Sequence, residues 1–98
     1  MNRKVRLTEE ADRHLAAAAS WYERQRAGLG HEFLAEALTA FERLVDNPLR
    51  HPIVHRDTRR SLMRRFPFGI YFRVEEAHLV VVAVIHASRH PRRWQSRR

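Results

Sequence analysis

The sequence predicts an α+β fold in which a helical hairpin packs on one face of a small, mostly antiparallel sheet, in the order β-α-α-β-β-β. Apolar residues recur at helical spacing in two segments of the first half, whereas from Arg59 onwards they alternate with a period of two. A chain of 98 residues has room for one core, so we expect residues 1–98 to form a single domain.

The first strand and the first helix follow each other directly. The segment "RKVRL" alternates, with Val5 and Leu7 on one face, and predicts a short strand. Thr8 is a favourable N-cap residue, and the acidic residues after it suit the positive end of the helix dipole. The apolar face of this helix comprises Ala11, Leu15, Ala18 and Tyr22. Gly28 is expected to end the helix in a left-handed conformation.

A second helix is expected from about Gly30 to the sequence "DNP", because residues before a proline avoid the α conformation. The short linker between the two helices predicts an antiparallel hairpin. We interpret the large aromatic residues of the hairpin as core residues: Trp21, Tyr22, Phe33 and Phe41. The next segment, "LRHPIVHRDT", is interpreted as a loop. Its His51, His55 and Asp57 lack further ligands nearby, so we expect no metal site.

Three strands are expected in the second half, at "RRSLMRR", "IYFRV" and "LVVVAVIH". The last is apolar on both faces, and strict alternation places Val80, Val82 and Val84 on one face and Leu79, Val81 and Ala83 on the other, so either set could be the one without a helical cover. A single helical hairpin covers only one face of a sheet. We therefore expect the other face to expose apolar residues to a partner protein, with Arg73 and His86 emerging there.

The composition is that of a globular protein, with 44% hydrophobic and 31% charged residues. The sequence has no cysteine, which excludes disulfides and thiolate metal sites, and no stretch approaches the length of a membrane span. We expect a cytoplasmic protein with no membrane contact, cofactor or small-molecule ligand. The net charge of +8 lies entirely in residues 56–98, where eleven arginines oppose three acidic residues, and this predicts an acidic or polyanionic partner.

The motifs together resemble the RelE/ParE superfamily of bacterial type II toxins. The resemblance is carried by "NPLRHP" after the second helix, "RRFPFGIYFRV" across two strands, and "VIHASRHPRRW" at the end. It covers almost the whole chain and implies the fold described above. It also implies a toxin of the kind linked to plasmid stabilisation, which is silenced by a cognate antitoxin.

The resemblance implies two alternative activities, because RelE-like members cleave mRNA on the ribosome whereas ParE-like members inhibit DNA gyrase. RNA cleavage needs a base, an acid and cations, and arginine supplies only the cations. The single lysine, Lys4, is far from the basic half in sequence, and Trp94 stands where a catalytic phenol is wanted. His86 is the one credible proton carrier, although its ring nitrogen also suits a role in fixing the C-terminal turn.

We therefore predict a ParE-like gyrase inhibitor without enzymatic activity. The alternative is an mRNA endonuclease that uses His86 with Arg59, Arg64, Arg73 and Arg89, with the ribosome and mRNA as partners. A generic nucleic-acid-binding domain is a third possibility, disfavoured because both helices are roughly neutral. The expected target-binding residues are Arg59, Arg60, Arg64, Arg65, Arg73, Arg89, Arg92, Arg93 and Trp94. The expected antitoxin-binding residues are Val80, Val82 and Val84.

Overall fold

The computed structural model describes residues 3–89 and confirms the predicted α+β class, with two helices on one face of a five-stranded sheet. The elements are β1 (Lys4–Leu7), α1 (Glu9–Gln25), α2 (Leu29–Asp46), a 3₁₀ turn (Pro48–Arg50), β2 (Ile53–His55), β3 (Thr58–Leu62), β4 (Phe68–Val74) and β5 (His78–His86). The strand order is β1-β5-β4-β3-β2, and only the β1–β5 pair is parallel.

The segment predicted to be a loop contains the additional strand β2, so that prediction was wrong in part. Ile53 pairs with Arg59 and His55 pairs with Thr58 across a tight turn. Arg56, within that turn, has a positive φ of 51°. Three residues are too few to show a clear alternation of apolar and polar residues, so the segment has no recognisable strand pattern.

Thr8 joins the first helix to the sheet and confirms the predicted N-cap. Its Oγ1 accepts a hydrogen bond from the Ala11 backbone N–H at 3.1 Å, which satisfies a donor of the first turn. The same hydroxyl donates to the Val82 carbonyl at 3.3 Å, and the Thr8 N–H donates to the Val81 carbonyl at 3.0 Å. One residue therefore fixes both the start of α1 and its position against β5.

The hairpin turn is closed by Glu23 and two glycines. Gly28 has the predicted left-handed conformation, with φ of 91°, but it directly precedes α2 instead of ending α1. The Glu23 carboxylate accepts from the backbone N–H groups of Gly28 at 2.9 Å and Gly30 at 3.0 Å. A Cβ at Gly30 would lie 2.4 Å from the Ala19 carbonyl oxygen, so the two helices approach too closely there for any side chain.

The main core lies between the helices and the sheet. Phe33 and Phe41 are buried as predicted, and Tyr22 stacks on Phe33 with ring centroids 5.3 Å apart. Trp21 was predicted to be a core residue, and this was wrong because 52% of its surface is exposed. Tyr22 takes the inward position on that turn of α1, which leaves the neighbouring Trp21 on the outside of the helix.

A β-bulge between β4 and β5 changes which residues of β5 face the helices. Tyr71 pairs with Ala83 whereas Phe72 pairs with Val81, so Val82 has no opposing residue and the alternation reverses there. Val80 and Val82 lie on the face opposite the helices, as predicted. Val84 belongs to the core on the helix side and is 2% exposed, so its expected place beside Val80 and Val82 was wrong.

The expected exposed apolar patch on the opposite face was also wrong. Val80, Val82 and Ala83 form a second buried cluster with Tyr71, and Ile85 packs against it. The large apolar residues that are exposed lie outside this cluster, and of these Leu62 is on the same face of the sheet: Trp21, Leu34, Leu38, Leu49, Ile53, Val54 and Leu62. Within the described part of the chain, neither helix is long and apolar enough to cross a membrane.

Candidate functional site

The predicted basic residues do not form one continuous site, because the sheet separates them. Arg60 pairs with Tyr71 and Arg73 pairs with Val80, so both arginines lie on the face opposite the helices. Arg59 pairs with Phe72, a residue of the helix-side core, and lies on the other face. Cross-strand neighbours share a face, so this register fixes where each guanidinium can reach.

Arg59 holds the segment after α2 against the sheet. Its Nη1 donates to the carbonyl oxygens of Leu49 at 3.1 Å and His51 at 2.7 Å. A planar guanidinium with several fixed donors suits this double contact, whereas a lysine offers only a point charge. Arg59, predicted to be a target-binding residue, therefore has a structural contact that occupies part of its side chain.

Two further predicted residues form ion pairs within the chain. Arg65 contacts Glu32 at 2.9 Å, and Arg73 contacts Glu75 at 3.0 Å. The hydrogen bond from Arg65, together with the nearby Arg26, lowers the pKa of the Glu32 carboxyl below its usual value. Exposed pairs of this kind contribute little to stability, so both arginines remain available to a partner that offers better geometry.

Arg60 and Arg64 lie together in a cleft at the edge of the sheet, and the structure adds two arginines that the sequence analysis did not single out. Arg43 from α2 and Arg50 from the 3₁₀ turn line the same cleft, whose volume is about 370 Å³. We call this the arginine cleft. The sequence "NPLRHP" places Arg50 just after α2. The sequence alone does not show that β3, which carries Arg60, lies beside this segment.

His51 forms part of the wall of the arginine cleft. Its ring packs edge-on against Phe72, with centroids 5.7 Å apart. Burial lowers the pKa of His51 below its ordinary value, and the charges of Arg50 and Arg59 lower it further. Both causes favour the neutral form of the imidazole.

His86 lies in a different place, a groove of about 810 Å³ between α1 and the end of β5. It pairs with Phe68, on the helix side of the sheet, and the two ring centroids are 5.4 Å apart. His86 was expected to emerge beside Arg73, and this was wrong because Arg73 lies on the opposite face. Arg89 lines the same groove as His86.

The imidazole of His86 is used by its own turn. Its Nδ1 accepts a hydrogen bond from the Ser88 backbone N–H at 3.1 Å and lies 2.8 Å from the Ser88 hydroxyl oxygen. The Arg89 N–H donates to the His86 carbonyl at 2.9 Å, which closes the turn. With Nδ1 as an acceptor, the neutral ring carries its proton on Nε2 and presents a donor there.

Six residues of α1 line the His86 groove, and three of them carry polar or aromatic side chains that were not predicted to be functional: His14, Trp21 and Arg24. Trp21 was assigned to the core because its position borders the apolar face of α1. The run of small residues from Ala16 to Ala19 was the feature of the sequence that could have indicated a groove here, because small side chains leave space between α1 and β5. Within residues 3–89, no group of three histidine or acidic side chains is placed to hold a metal ion.

The acidic residues concentrate on the helices, whereas the five strands within residues 3–89 contain four arginines and no acidic residue. In α1, four acidic residues oppose two arginines, and in α2 four oppose one, so both helices carry net negative charge. Both helices had been predicted to be roughly neutral. Arg92, Arg93 and Trp94, which were predicted to contact the target, lie outside the described residues.

A sequence model described as the ParE toxin of the type II toxin–antitoxin system, parDE, matches residues 5–91. Among solved structures, the chain is similar to one from the chromosomal ParDE system of P. aeruginosa, with a TM-score of 0.79 and 16% identity over 88% of this chain and 97% of that one. It is also similar to a chain of the RelBE2 toxin–antitoxin complex of Mycobacterium tuberculosis, with a TM-score of 0.59 and 23% identity over 88% and 99%. No curated protein matches the sequence significantly.

Proposed function

Because the chain belongs to the ParE toxin family of type II toxin–antitoxin systems, we propose that it acts by binding DNA gyrase and that a cognate antitoxin neutralises it. The alternative is cleavage of mRNA on the ribosome, which requires a proton carrier beside the cations that stabilise the phosphorane. The observation that favours gyrase binding is that the sheet separates His86 from Arg73, and that Arg89 is the one described arginine of the nuclease set that lines the His86 groove.

The surroundings of His86 support the same proposal. A general base needs a free lone pair directed at the proton that it removes. Nδ1 of His86 accepts from Ser88, and the ring packs on Phe68, so the side chain has a structural task in the turn. This agrees with the role in fixing the turn that the sequence analysis considered for His86.

The remaining candidates for proton transfer are poorly placed. Tyr71 is 4% exposed and belongs to the second buried cluster, where its phenol has little access to a substrate. Lys4 lies on β1 at one edge of the sheet, and the arginine cleft lies at the other edge, beside β3. The arginines therefore provide charge for binding and not proton transfer.

A generic nucleic-acid-binding domain is disfavoured by the charge of the helices. Recognition helices that enter a DNA groove carry basic side chains, whereas α1 and α2 both have net negative charge. We propose instead that a protein surface of the target meets the exposed arginines Arg60, Arg64 and Arg89, with Arg65 and Arg73 available at the cost of a surface ion pair. Arg92, Arg93 and Trp94 stay in this proposal on sequence grounds.

The deciding experiment compares the two targets with one purified preparation. We expect the chain to inhibit DNA supercoiling by gyrase and to leave mRNA intact on purified ribosomes. Cleavage of ribosome-bound mRNA without inhibition of gyrase would contradict the proposal and favour the endonuclease. Addition of the protein encoded by the adjacent reading frame is expected to restore supercoiling, which tests the antitoxin. We expect this activity to take place in the cytoplasm.

A further inference from the structure

The arginine cleft brings guanidinium groups from three parts of the chain to one edge of the sheet. Arg43 comes from α2, Arg50 from the 3₁₀ turn, and Arg60 and Arg64 from β3 and the residues after it. The one acidic contact among the described residues that these four arginines make is that of Arg43 with Glu36, at 4.0 Å. Gathering so many cations without matching anions costs free energy, which a bound anionic group would offset.

An exposed leucine lies beside these arginines. Leu62 is 58% exposed, and its cross-strand partner on β4 is Gly69, which has no side chain to cover it. Pro52 and the buried Leu44 add apolar surface to the same cleft. The cleft thus offers an apolar contact surrounded by positive charge, and inorganic phosphate alone would leave that apolar contact unused.

The backbone at this edge can accept another strand. The β2–β3 pairing covers only Thr58 and Arg59, with one further bond from the Arg60 N–H to the Pro52 carbonyl at 3.1 Å. A proline has no N–H to continue the ladder, so pairing with β2 ends at that point. Ser61 and Leu62 pair with β4 on one side, and within the described residues no strand follows on the other.

Arg60 is held in a defined direction at this edge. A Cβ placed on Gly69 would lie 3.5 Å from Cδ and 3.6 Å from Cγ of Arg60, so the arginine stem runs across the glycine. A stem that is already placed loses less conformational freedom on binding, which favours a specific contact over diffuse attraction.

We propose that the arginine cleft is the docking site for an extended acidic peptide segment in which an apolar side chain, flanked by carboxylates, covers Leu62. Under the proposed function, on which this inference rests, the segment belongs to the cognate antitoxin. Its backbone adds to the edge of β3 beside Leu62, and its carboxylates pair with Arg60, Arg64 and Arg50.

A nucleic acid is the less suitable occupant. Single-stranded nucleic acids combine phosphate contacts with bases stacked on aromatic faces. The only aromatic ring among the described residues that line the cleft is His51, which packs edge-on against Phe72. An alternating acidic and apolar peptide uses both the charges and the exposed leucine.

The test is an NMR titration of the purified full chain with a short synthetic peptide in which glutamate and leucine alternate. We expect the peptide to shift the Leu62 methyl signals and the Arg60 and Arg64 side-chain signals. The paired substitution Arg60→Glu with Arg64→Glu is expected to weaken binding about tenfold or more. The matched control, Arg13→Glu with Arg56→Glu, reverses two exposed arginines outside the cleft and is expected to bind like the unmodified chain.

Inorganic phosphate and a single-stranded oligonucleotide form the other arms of the titration. Absence of the Leu62 shifts with the peptide, or equal binding by the cleft variant, would overturn the proposal, as would shifts that only the oligonucleotide produces. The experiment measures peptide binding and not toxicity, so a negative titration would refute the docking site without refuting the proposed binding of gyrase. Conversely, peptide binding at Leu62 by a chain that does not inhibit gyrase would support the docking site and refute gyrase as the target.

Discussion

The imidazole Nδ1 of His14 accepts a hydrogen bond from the backbone N–H of Val84, at 3.1 Å. The last residue of β1, Leu7, pairs with Val81, so β5 continues beyond the end of its neighbouring strand. His14 projects from α1 onto this uncovered stretch and satisfies a donor that the sheet does not. The contact joins residues 70 positions apart and supports the floor of the His86 groove.

We expect His14→Ala to destabilise the fold, because the partly buried Val84 N–H loses its acceptor. A buried donor left without a partner costs about 1–3 kcal/mol, and urea denaturation would measure this loss. Arg13→Ala, at an exposed position one residue earlier, is the control and should change stability by no more than about 0.5 kcal/mol. Equal stability of the two variants would show that the contact with Val84 contributes nothing.

Glu23 is expected to stabilise the hairpin more than other acidic residues of the helices. Glu23→Ala removes the acceptor of the Gly28 and Gly30 N–H groups, and the loss of a comparable helix cap costs about 0.5–2 kcal/mol. Thermal denaturation would reveal the difference. Glu42→Ala, an exposed substitution within α2, is the control. A melting temperature lowered as much by Glu42→Ala as by Glu23→Ala would refute the specific role of this carboxylate.

The largest errors of the sequence analysis arose where tertiary structure changes a local pattern. The alternation in "LVVVAVIH" is regular, and nothing in it marks Val82 as the bulged residue that reverses the pattern and places Val84 in the helix-side core. A bulge depends on how two strands fit together. For the same reason the strand β2 and the face on which His86 lies could not be read from one segment alone.

Features with local causes were predicted well. The cap at Thr8, the left-handed Gly28 and the end of α2 before Pro48 each follow from the chemistry of one or two residues. The concentration of positive charge in residues 56–98 predicted an acidic or polyanionic partner, and this stays a prediction. This concentration did not indicate the arginine cleft, because Arg43 lies on the otherwise acidic α2 and reaches the cleft only through the fold.

Arg59 is expected to affect stability, in contrast to its neighbour Arg60. Arg59→Lys replaces Nη1, which is held in the guanidinium plane and donates to two carbonyl oxygens, with a mobile ammonium group. A hydrogen bond from a charged group contributes about 1.5–3 kcal/mol. We expect a loss of about 1–2 kcal/mol in chemical denaturation. Arg60→Lys is exposed and should be nearly neutral. The reverse order of the two variants would contradict the anchoring role of Arg59.

Stability is expected to fall in mild acid partly because of His51. Its pKa is lowered in the folded chain below the ordinary value of 6.5, so the unfolded chain takes up the proton more readily. The contribution of His51 to the free energy of unfolding is complete above the ordinary pKa. It declines as the pH falls through that value and stops changing below the lowered pKa. Denaturation at a series of pH values should therefore show a smaller acid loss in His51→Gln than in the unmodified chain. His31→Gln, at an exposed position on α2, is the control, and the same acid loss in all three proteins would refute the role of His51.

The pair His86 and Arg89 distinguishes the two toxin activities. If the chain cleaves mRNA, His86→Gln removes a proton carrier, and the loss of such a group costs about 10²–10⁴-fold in rate. If the chain binds gyrase, His86→Gln should be mild, because glutamine retains a hydrogen-bonding side chain for the Ser88 turn. Arg89→Ala should then weaken inhibition, since arginine anchors contribute strongly to protein interfaces.

We expect the second pattern: inhibition of gyrase supercoiling is reduced several-fold by Arg89→Ala and little by His86→Gln. Both residues line one groove, so a general disturbance of that region would affect the two variants alike, and thermal denaturation of each variant controls for it. Arg24→Ala, from the α1 side of the groove, shows whether the whole groove or only its β5 end meets the target. Codon-dependent mRNA cleavage that disappears in His86→Gln would show that the side chain moves a proton despite its contact with Ser88, and that the chain is an endonuclease.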